Sequence, residues 1–289
     1  MKPPPFHYAS PTSVSDAVTL LVEHADEEPR VLAGGQSLVP LMNFRLAQPG
    51  YLVDLRRVAG LDTIRHDGEV LVIGAMVRQA TAERSPEVAL GAPLLAEALH
   101  YVAHLPIRNS GTVVGSLAHA DPAAELPAVA LAMDAEMTAV GPQGERRIPA
   151  AEFFQGPFTT SLGADEILTA VRLPHVRGGH AFVEFARTHG NFALVGVAAL
   201  IGVENGRISS AALALSGVAP TPIRLHAAEQ ALVGAVPEGG AVSAAVDVGT
   251  AGLHPAGDLQ AGTTTRIDIA RAYLRRGIER ALDRALDRR

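Results

Sequence analysis

Cysteine is missing from all 289 residues. Its absence excludes disulfides, a cysteine nucleophile, thiolate zinc sites and any iron–sulfur cluster held by this chain's own thiolates. Tryptophan is missing too, and aromatic residues make up only 4%, so the stacking platforms that grip single-stranded bases are scarce. Positive charge is also in short supply. Lys and Arg number 24 against 30 Asp and Glu, for a net charge of −6, which argues against a general nucleic-acid binder. No uninterrupted apolar run reaches the length of a membrane span. The opening Met1-Lys2-Pro3-Pro4-Pro5-Phe6-His7 has no apolar signal core, and a cytoplasmic location is the expectation. What is present is a 48% hydrophobic complement, enough for a buried core and about two domains.

Helix and strand signals can be read along the chain. Ser13 followed by Asp16 is an S-x-x-D helix start, and Val14, Ala17, Val18 and Leu21 recur with helical spacing. Arg30–Ala33 and Tyr51–Asp54 read as short strands, so residues 1–57 form a small α/β unit. Beyond it, Val70–Ile73 is a strand. Pro86 to about His104 reads as one helix, and Gly111–Leu117 as a glycine-containing apolar stretch ending a strand. Asp121-Pro122 then opens a helix with Asp as cap and Pro in the first turn. Strands follow near 136–140, 146–149 and 167–173. The break at 174–179 is the expected domain boundary. It divides the chain into a 1–176 domain, with lobes of about 1–57 and 58–176, and a 177–289 domain.

The second part carries strands near 181–187, 194–203 and 207–215, with a hairpin signal at Glu204-Asn205-Gly206. A helix near 224–232, a looser glycine-rich stretch over 234–262 and a long final helix complete it. Arg271, Arg275, Arg276, Arg280 and Arg284 on that helix suit a solvated face, or a surface for an acidic partner. His100 and His104 lie one turn apart with Glu97 a turn earlier. That spacing suits a metal, but no third ligand accompanies it, and structural histidines are the expectation.

Two segments bear on chemistry. In Val31-Leu32-Ala33-Gly34-Gly35-Gln36-Ser37-Leu38, paired glycines let the main chain approach a ligand and leave N–H groups free to point at it. The same pattern is also an ordinary turn. It is neither a Walker A loop nor a G-x-G-x-x-G fingerprint. The second segment runs from Gly111 to Glu125. Thr112 and Ser116 offer hydroxyls, and the expected helix start offers N–H groups to an anion. Glu125 either accepts from sugar hydroxyls or simply suits the helix dipole. Two such segments about 80 residues apart suggest a two-sided cradle for one long ligand, of which a dinucleotide is the obvious example.

The order A-G-G-x-S-L, T-x-x-G-S-L and A-D-P-A-A-E-L-P resembles the FAD-binding medium subunits of molybdenum hydroxylases, the family of the aerobic carbon monoxide dehydrogenase medium chains and the xanthine dehydrogenase flavin domain. Phe6-x-Tyr8, Leu52-Val53-Asp54-Leu55-Arg56, Ile73-Gly74-Ala75, Ile167–Val171, Arg187-x-x-Gly190-x-x-Ala193 and Leu274-Arg275-Arg276 extend the likeness over nearly the whole chain. The resemblance implies an α+β fold: a two-lobed FAD-binding domain of the vanillyl-alcohol-oxidase/para-cresol-methylhydroxylase type, then a small C-terminal α+β domain with an antiparallel sheet. It implies non-covalent FAD, because no His or Cys lies in the first glycine segment. Ala33, Gly34, Gly35, Gln36, Ser37 and Leu38 would contact the diphosphate from one side, and Thr112, Gly115 and Ser116 from the other. His119, Asp121 and Glu125 would line the same region, with Glu125 near ribose or ribitol. Leu168 would offer a backbone group on the adenine side, and Phe192 a ring beside the isoalloxazine.

Three positions depart from the family pattern. Val114 replaces a glycine and is expected to crowd the main-chain approach. Asn191 stands where Asp is usual, and Glu184 lies near the position where the family often has a Lys that contacts the cofactor, a contact that would be lost or replaced here. The implied role is an oxidoreductase subunit with no catalytic side chain of its own. It would take electrons from an iron–sulfur small subunit, fed by a molybdenum large subunit in a dimer of heterotrimers, and pass them to an external acceptor. The molybdenum cofactor and 2Fe-2S clusters would sit only in those partners. The alternatives are a free-standing FAD-dependent reductase and a flavin-free assembly subunit.

Overall fold

The structure is a computed structural model that describes residues 2–287. Strand β1 (His7–Ala9) leads to helix α1 (Val14–Glu23), which starts at the expected cap: Ser13 Oγ accepts the Asp16 N–H at 3.0 Å. Ala17, Val18 and Leu21 are buried on one face of it. Strands β2 (Arg30–Leu32) and β3 (Tyr51–Asp54) complete a parallel sheet in the order β1-β3-β2. Between them, residues 33–37 carry the chain from β2 into a short helix, α2 (Leu38–Asn43).

The next unit begins with strands β4 (Ile64–Asp67) and β5 (Val70–Gly74). Helices α3 (Gln79–Arg84), α4 (Pro86–Gly91), α5 (Pro93–Leu99), α6 (Leu105–Arg108), α7 (Val113–His119) and α8 (Glu125–Ala132) follow. Then come β6 (Glu136–Gly141), β7 (Gly144–Pro149), α9 (Ala150–Phe153), the small ribbon β8 (Phe154–Gly156) and β9 (Thr159–Thr160), and β10 (Ile167–Pro174). The main sheet is antiparallel, ordered β4-β5-β10-β6-β7.

Three local expectations change here. The helix expected over Pro86–His104 is broken at Ala92 (φ −142°), because Pro93 disfavours helical backbone in the residue before it. Residues 113–119 are helical rather than a strand end. Thr112 Oγ1 caps the Gly115 N–H at 3.0 Å, and only a single bridge from Thr112 to Arg78 remains of the strand. Asp121-Pro122 forms a turn, not a helix start. Asp121 Oδ1 accepts the Ala123 N–H at 2.8 Å, a local Asx bond that competes with helix, and α8 begins only at Glu125. Every residue of α8 is buried, as expected of a helix that is apolar all round.

The C-terminal part is an antiparallel sheet of β11 (Gly179–Phe185), β12 (Val195–Glu204), β13 (Arg207–Ser216) and β14 (Ile223–Arg224). Its central hairpin turns at Asn205 and Gly206, with φ of 50° and 77°, as the sequence signal requires. Helices α10 (His226–Leu232), α11 (Gly239–Thr250) and α12 (Thr263–Asp287) follow. Helix α11 lies in the stretch read as loose and glycine-rich. Its buried face is built from Val242, Ala245, Val246 and Gly249, residues too small to mark a clear apolar stripe. The sheet is covered on both faces, which accounts for the unbroken apolar run in β12. Phe182, Ala198, Leu200 and Ala214 join the core of the first part, while Ala181, Val183, Val197 and Ala199 pack in a second core with α10, α11 and α12.

Glu97 on α5 ties the two parts together. Its carboxylate accepts from Arg284 at 2.6 and 3.2 Å and from the Phe182 N–H at 3.2 Å, and it pairs with Arg280 at 3.1 Å. The arginines of α12 are therefore not simply a solvated face: Arg280 and Arg284 dock on α5, and Arg271 binds Asp247. His100 pairs instead with Glu83 at 3.3 Å. Glu97→Ala is expected to cost about 2–4 kcal/mol by leaving the Phe182 N–H without its acceptor and Arg284 with the His180 carbonyl but no countercharge. A thermal melt should show the midpoint lower by about 5–10 °C.

Candidate functional site

The first glycine segment is positioned by the parallel sheet. Strand β2 ends at Leu32, and the chain turns through Gly34 and Gly35 (φ 71°) before α2. Among the described residues, the main-chain N–H groups of Gly34, Gly35, Gln36, Ser37 and Leu38 donate to no protein acceptor. Gln36 Nε2 reaches back to the Gly34 carbonyl at 3.3 Å. All six residues from Ala33 to Leu38 are half-buried.

The second segment lies directly against the first. A Cβ on Gly34 would fall 2.4 Å from the Ser110 carbonyl oxygen and 2.7 Å from Gly111 Cα. One on Gly115 would lie 3.7 Å from the Ala33 Cβ. The Arg78 guanidinium donates to the same Ser110 carbonyl and fixes it in place. The two runs thus form one surface. Their donors differ from expectation, however. Gly115 N–H is taken by Thr112 Oγ1 and Ser116 N–H by the Thr112 carbonyl at 3.2 Å. The N–H groups without a protein acceptor here are those of Thr112 and Val114. Val114 is 2% exposed and its side chain packs in the core, so the crowding expected of its Cβ does not arise.

A cleft of about 280 Å³ opens over the first segment, walled by residues 32–36, Val39, Pro40 and Arg56. A second shallow cleft of about 330 Å³ is lined by Arg78, Ala80, Thr81, Arg84 and Asn109, and includes none of the glycine-segment residues. Sequence reasoning gave Arg56 no role. Its signal was the Asp54-x-Arg56 spacing at a strand end.

The acidic candidates gather at a seam between the two parts. The Gly217 N–H donates to the Pro122 carbonyl at 2.8 Å, joining the end of β13 to the Asp121–Glu125 turn. Glu125 is 7% exposed, and burial pushes its carboxyl up to about 7, with Asp121 adding to the rise. Glu184 aligns with Gly196 and Ser216 across β11, β12 and β13. Burial, with the Glu125 charge adding to it, raises its carboxyl to about 8. Glu184 Oε2 and Ser216 Oγ are both buried without a hydrogen-bond partner.

His119 is half-buried, with its ring 5.1 Å from that of Phe158. Burial lowers its pKa, against the opposing pull of Asp121. Leu168 is buried in β10 beside a β-bulge between Leu168 and Ala170. Phe192 is exposed on the loop after β11, where Asn191 Nδ2 donates to Thr188 Oγ1 at 3.2 Å.

The residues present fit an anionic dinucleotide. Gly34 lets the two segments meet main chain to main chain, the N–H groups there lack acceptors, and buried polar atoms lack partners at the seam. Fold and site together define a dinucleotide-binding α+β protein. Comparison with known proteins narrows this. Residues 4–176 match the FAD binding domain in molybdopterin dehydrogenase, and residues 180–281 the CO dehydrogenase flavoprotein C-terminal domain. The chain is 40% identical to the 6-hydroxypseudooxynicotine dehydrogenase complex subunit alpha of Paenarthrobacter nicotinovorans, over 97% of this chain and 96% of that one. Among solved structures it is similar to carbon monoxide dehydrogenase from Hydrogenophaga pseudoflava, with a TM-score of 0.96 and 38% identity over 99% of this chain and 100% of that one. Quinoline 2-oxidoreductase from Pseudomonas putida 86 matches with a TM-score of 0.95 and 37% identity, over the same shares of the two chains. The chain belongs to the FAD-binding medium subunits of the molybdenum hydroxylases.

Proposed function

We propose that this chain binds FAD non-covalently and relays electrons from an iron–sulfur small subunit to an external acceptor. The substrate would be oxidised at molybdenum in a large subunit, and the whole would be a cytoplasmic dimer of heterotrimers. The observation that carries the reading is the run of free N–H groups at 34–38 pressed against Ser110 and Gly111. A bound flavin exchanges electrons singly with a cluster and in pairs with an acceptor.

The chain's own residues hold and orient. Main-chain N–H groups of residues 34–38, with those of Thr112 and Val114, would bind the diphosphate. Thr112 fixes the second segment by capping Gly115. Glu125, Asp121 and His119 would border the ribityl chain, Leu168 the adenine side and Phe192 the ring. Glu184 replaces a positive contact with a carboxyl that burial keeps protonated near neutral pH, able to donate a hydrogen bond where a lysine would have donated one.

The lack of cysteine supports dependence on partners, since this chain has no thiolates for a cluster of its own. No helix among the described residues is long and apolar enough to cross a membrane. The purified protein is expected to show the visible absorption bands of flavin, released as FAD on denaturation, and to co-purify with a small and a large subunit. A colourless preparation that stays colourless with added FAD would support the assembly-subunit reading. A yellow chain that reduces its flavin with a nicotinamide and has no partners would support the free-standing reductase.

A further inference from the structure

Arg56 is the one charged residue in the wall of the cleft over the first glycine segment. Its anchorage is unusually complete. Asp54, at the end of β3, is fully buried. Asp54 Oδ2 accepts from Arg56 Nε at 2.6 Å and from the Tyr8 hydroxyl at 2.8 Å, and Oδ1 accepts the Arg56 N–H at 2.9 Å.

A carboxylate taken fully out of water costs several kcal/mol unless donors surround it, and here three do. Capping the turn at Leu55–Arg57 needs only Oδ1. The bond from Oδ2 to Nε does something further: it fixes the plane of the guanidinium. Among the described residues, the terminal nitrogens of Arg56 have no hydrogen-bond partner. A guanidinium pinned at Nε with both terminal nitrogens free is a preorganised fork for an oxyanion. The same cleft presents the N–H groups of Gly34, Gly35 and Gln36. On a chain of net charge −6, a dianionic diphosphate needs such a local cation.

We infer that Arg56 is a diphosphate-binding residue, held in place by Asp54 and Tyr8, whose terminal N–H groups contact a phosphoryl oxygen of the dinucleotide cradled by residues 33–37. This rests on the FAD reading above.

The test is a titration of flavin-stripped protein with FAD, followed by flavin fluorescence, in whatever subunit assembly the protein purifies. Arg56→Gln should weaken binding about ten- to thirtyfold at low ionic strength, the worth of a charge-assisted hydrogen-bonded pair. The deficit should shrink to about threefold in half-molar salt, where screening has already blunted the parent's advantage. Arg56→Lys keeps the charge but loses the fork, and should fall between the two. Equal affinity of parent and Arg56→Gln at low salt overturns the assignment. So does a loss that is the same at both salt concentrations and tracks a lowered melting temperature, because that is a structural effect alone. A parent protein that binds no FAD defeats the underlying reading instead, and the two failures are therefore separable.

Discussion

Gly34→Ala should empty the flavin site. The added methyl group would lie 2.4 Å from the Ser110 carbonyl oxygen and 2.7 Å from Gly111 Cα. Both are main-chain atoms, and the carbonyl is held by Arg78, so neither can swing aside as a flexible side chain would. One of the two segments must move by about an ångström, which costs about 2–4 kcal/mol in a packed region. The displaced N–H groups no longer converge on one ligand. Losing two or three charge-assisted hydrogen bonds corresponds to about a hundredfold or more in affinity. The flavin-to-protein ratio of the purified variant, followed by titration with FAD, measures this. Near-stoichiometric flavin in the variant would show that the contact between the two segments is not what shapes the site. Gly35→Ala is the useful contrast. Its Cβ meets only side-chain atoms, at 3.2 Å or more, which the Val39 side chain can yield to, and its main penalty is the positive φ, about 1 kcal/mol.

Glu184→Gln should make the flavin-free protein more stable in alkali and leave it unchanged in acid. In the folded chain Glu184 is held up to about 8 by burial and by Glu125, and Glu125 up to about 7 by burial and by Asp121. In the unfolded chain both carboxyls return to the ordinary range near 4.5. As pH rises, the unfolded chain therefore gives up its protons first. The stability these groups contribute is complete below about pH 4.5 and is lost as pH climbs through 7 and 8. Glutamine keeps the shape of the protonated acid and has nothing to ionise. Its melting temperature should match the parent's near pH 5 and exceed it by about 2–6 °C near pH 8.5. It should also flatten the pH dependence above about pH 7, because the carboxyl whose ionisation the Glu125 charge opposes is gone. Parallel melting curves for parent and variant across that range would mean that Glu184 is already ionised, and solvated, in the fold.

Much of the scaffold was legible because local chemistry and tertiary packing agree. Ser13 and Asp16 start α1, Asn205 and Gly206 turn a hairpin, and the β12 run Val195–Ile201 is apolar on both sides because both faces of its sheet are covered. Where short-range hydrogen bonds competed, the pattern misled. Thr112 caps a helix where a strand end was expected, and Asp121 folds back on Ala123 instead of starting α8. Helix α11 was invisible because alanine, glycine and valine carry too little contrast to trace a stripe.

The site was legible in the same uneven way. Both glycine segments stand out in the sequence, but their contact through Ser110 depends on how the sheet and α6 bring them together. The role of Arg56 depends on a buried aspartate two residues earlier and on a tyrosine 48 residues before it in the chain. Val114 shows the limit of comparing positions one by one: a side chain read as an obstacle is part of the core.

The four-stranded C-terminal sheet is a party wall. Phe182, Ala198, Leu200 and Ala214 furnish one room while Val183, Val197 and Ala199 furnish the other. Neither room can be taken down without leaving a bare greasy partition. The two halves of this chain are therefore bound to stand or melt as one, and a disturbance on the flavin side is felt by the helices behind the wall.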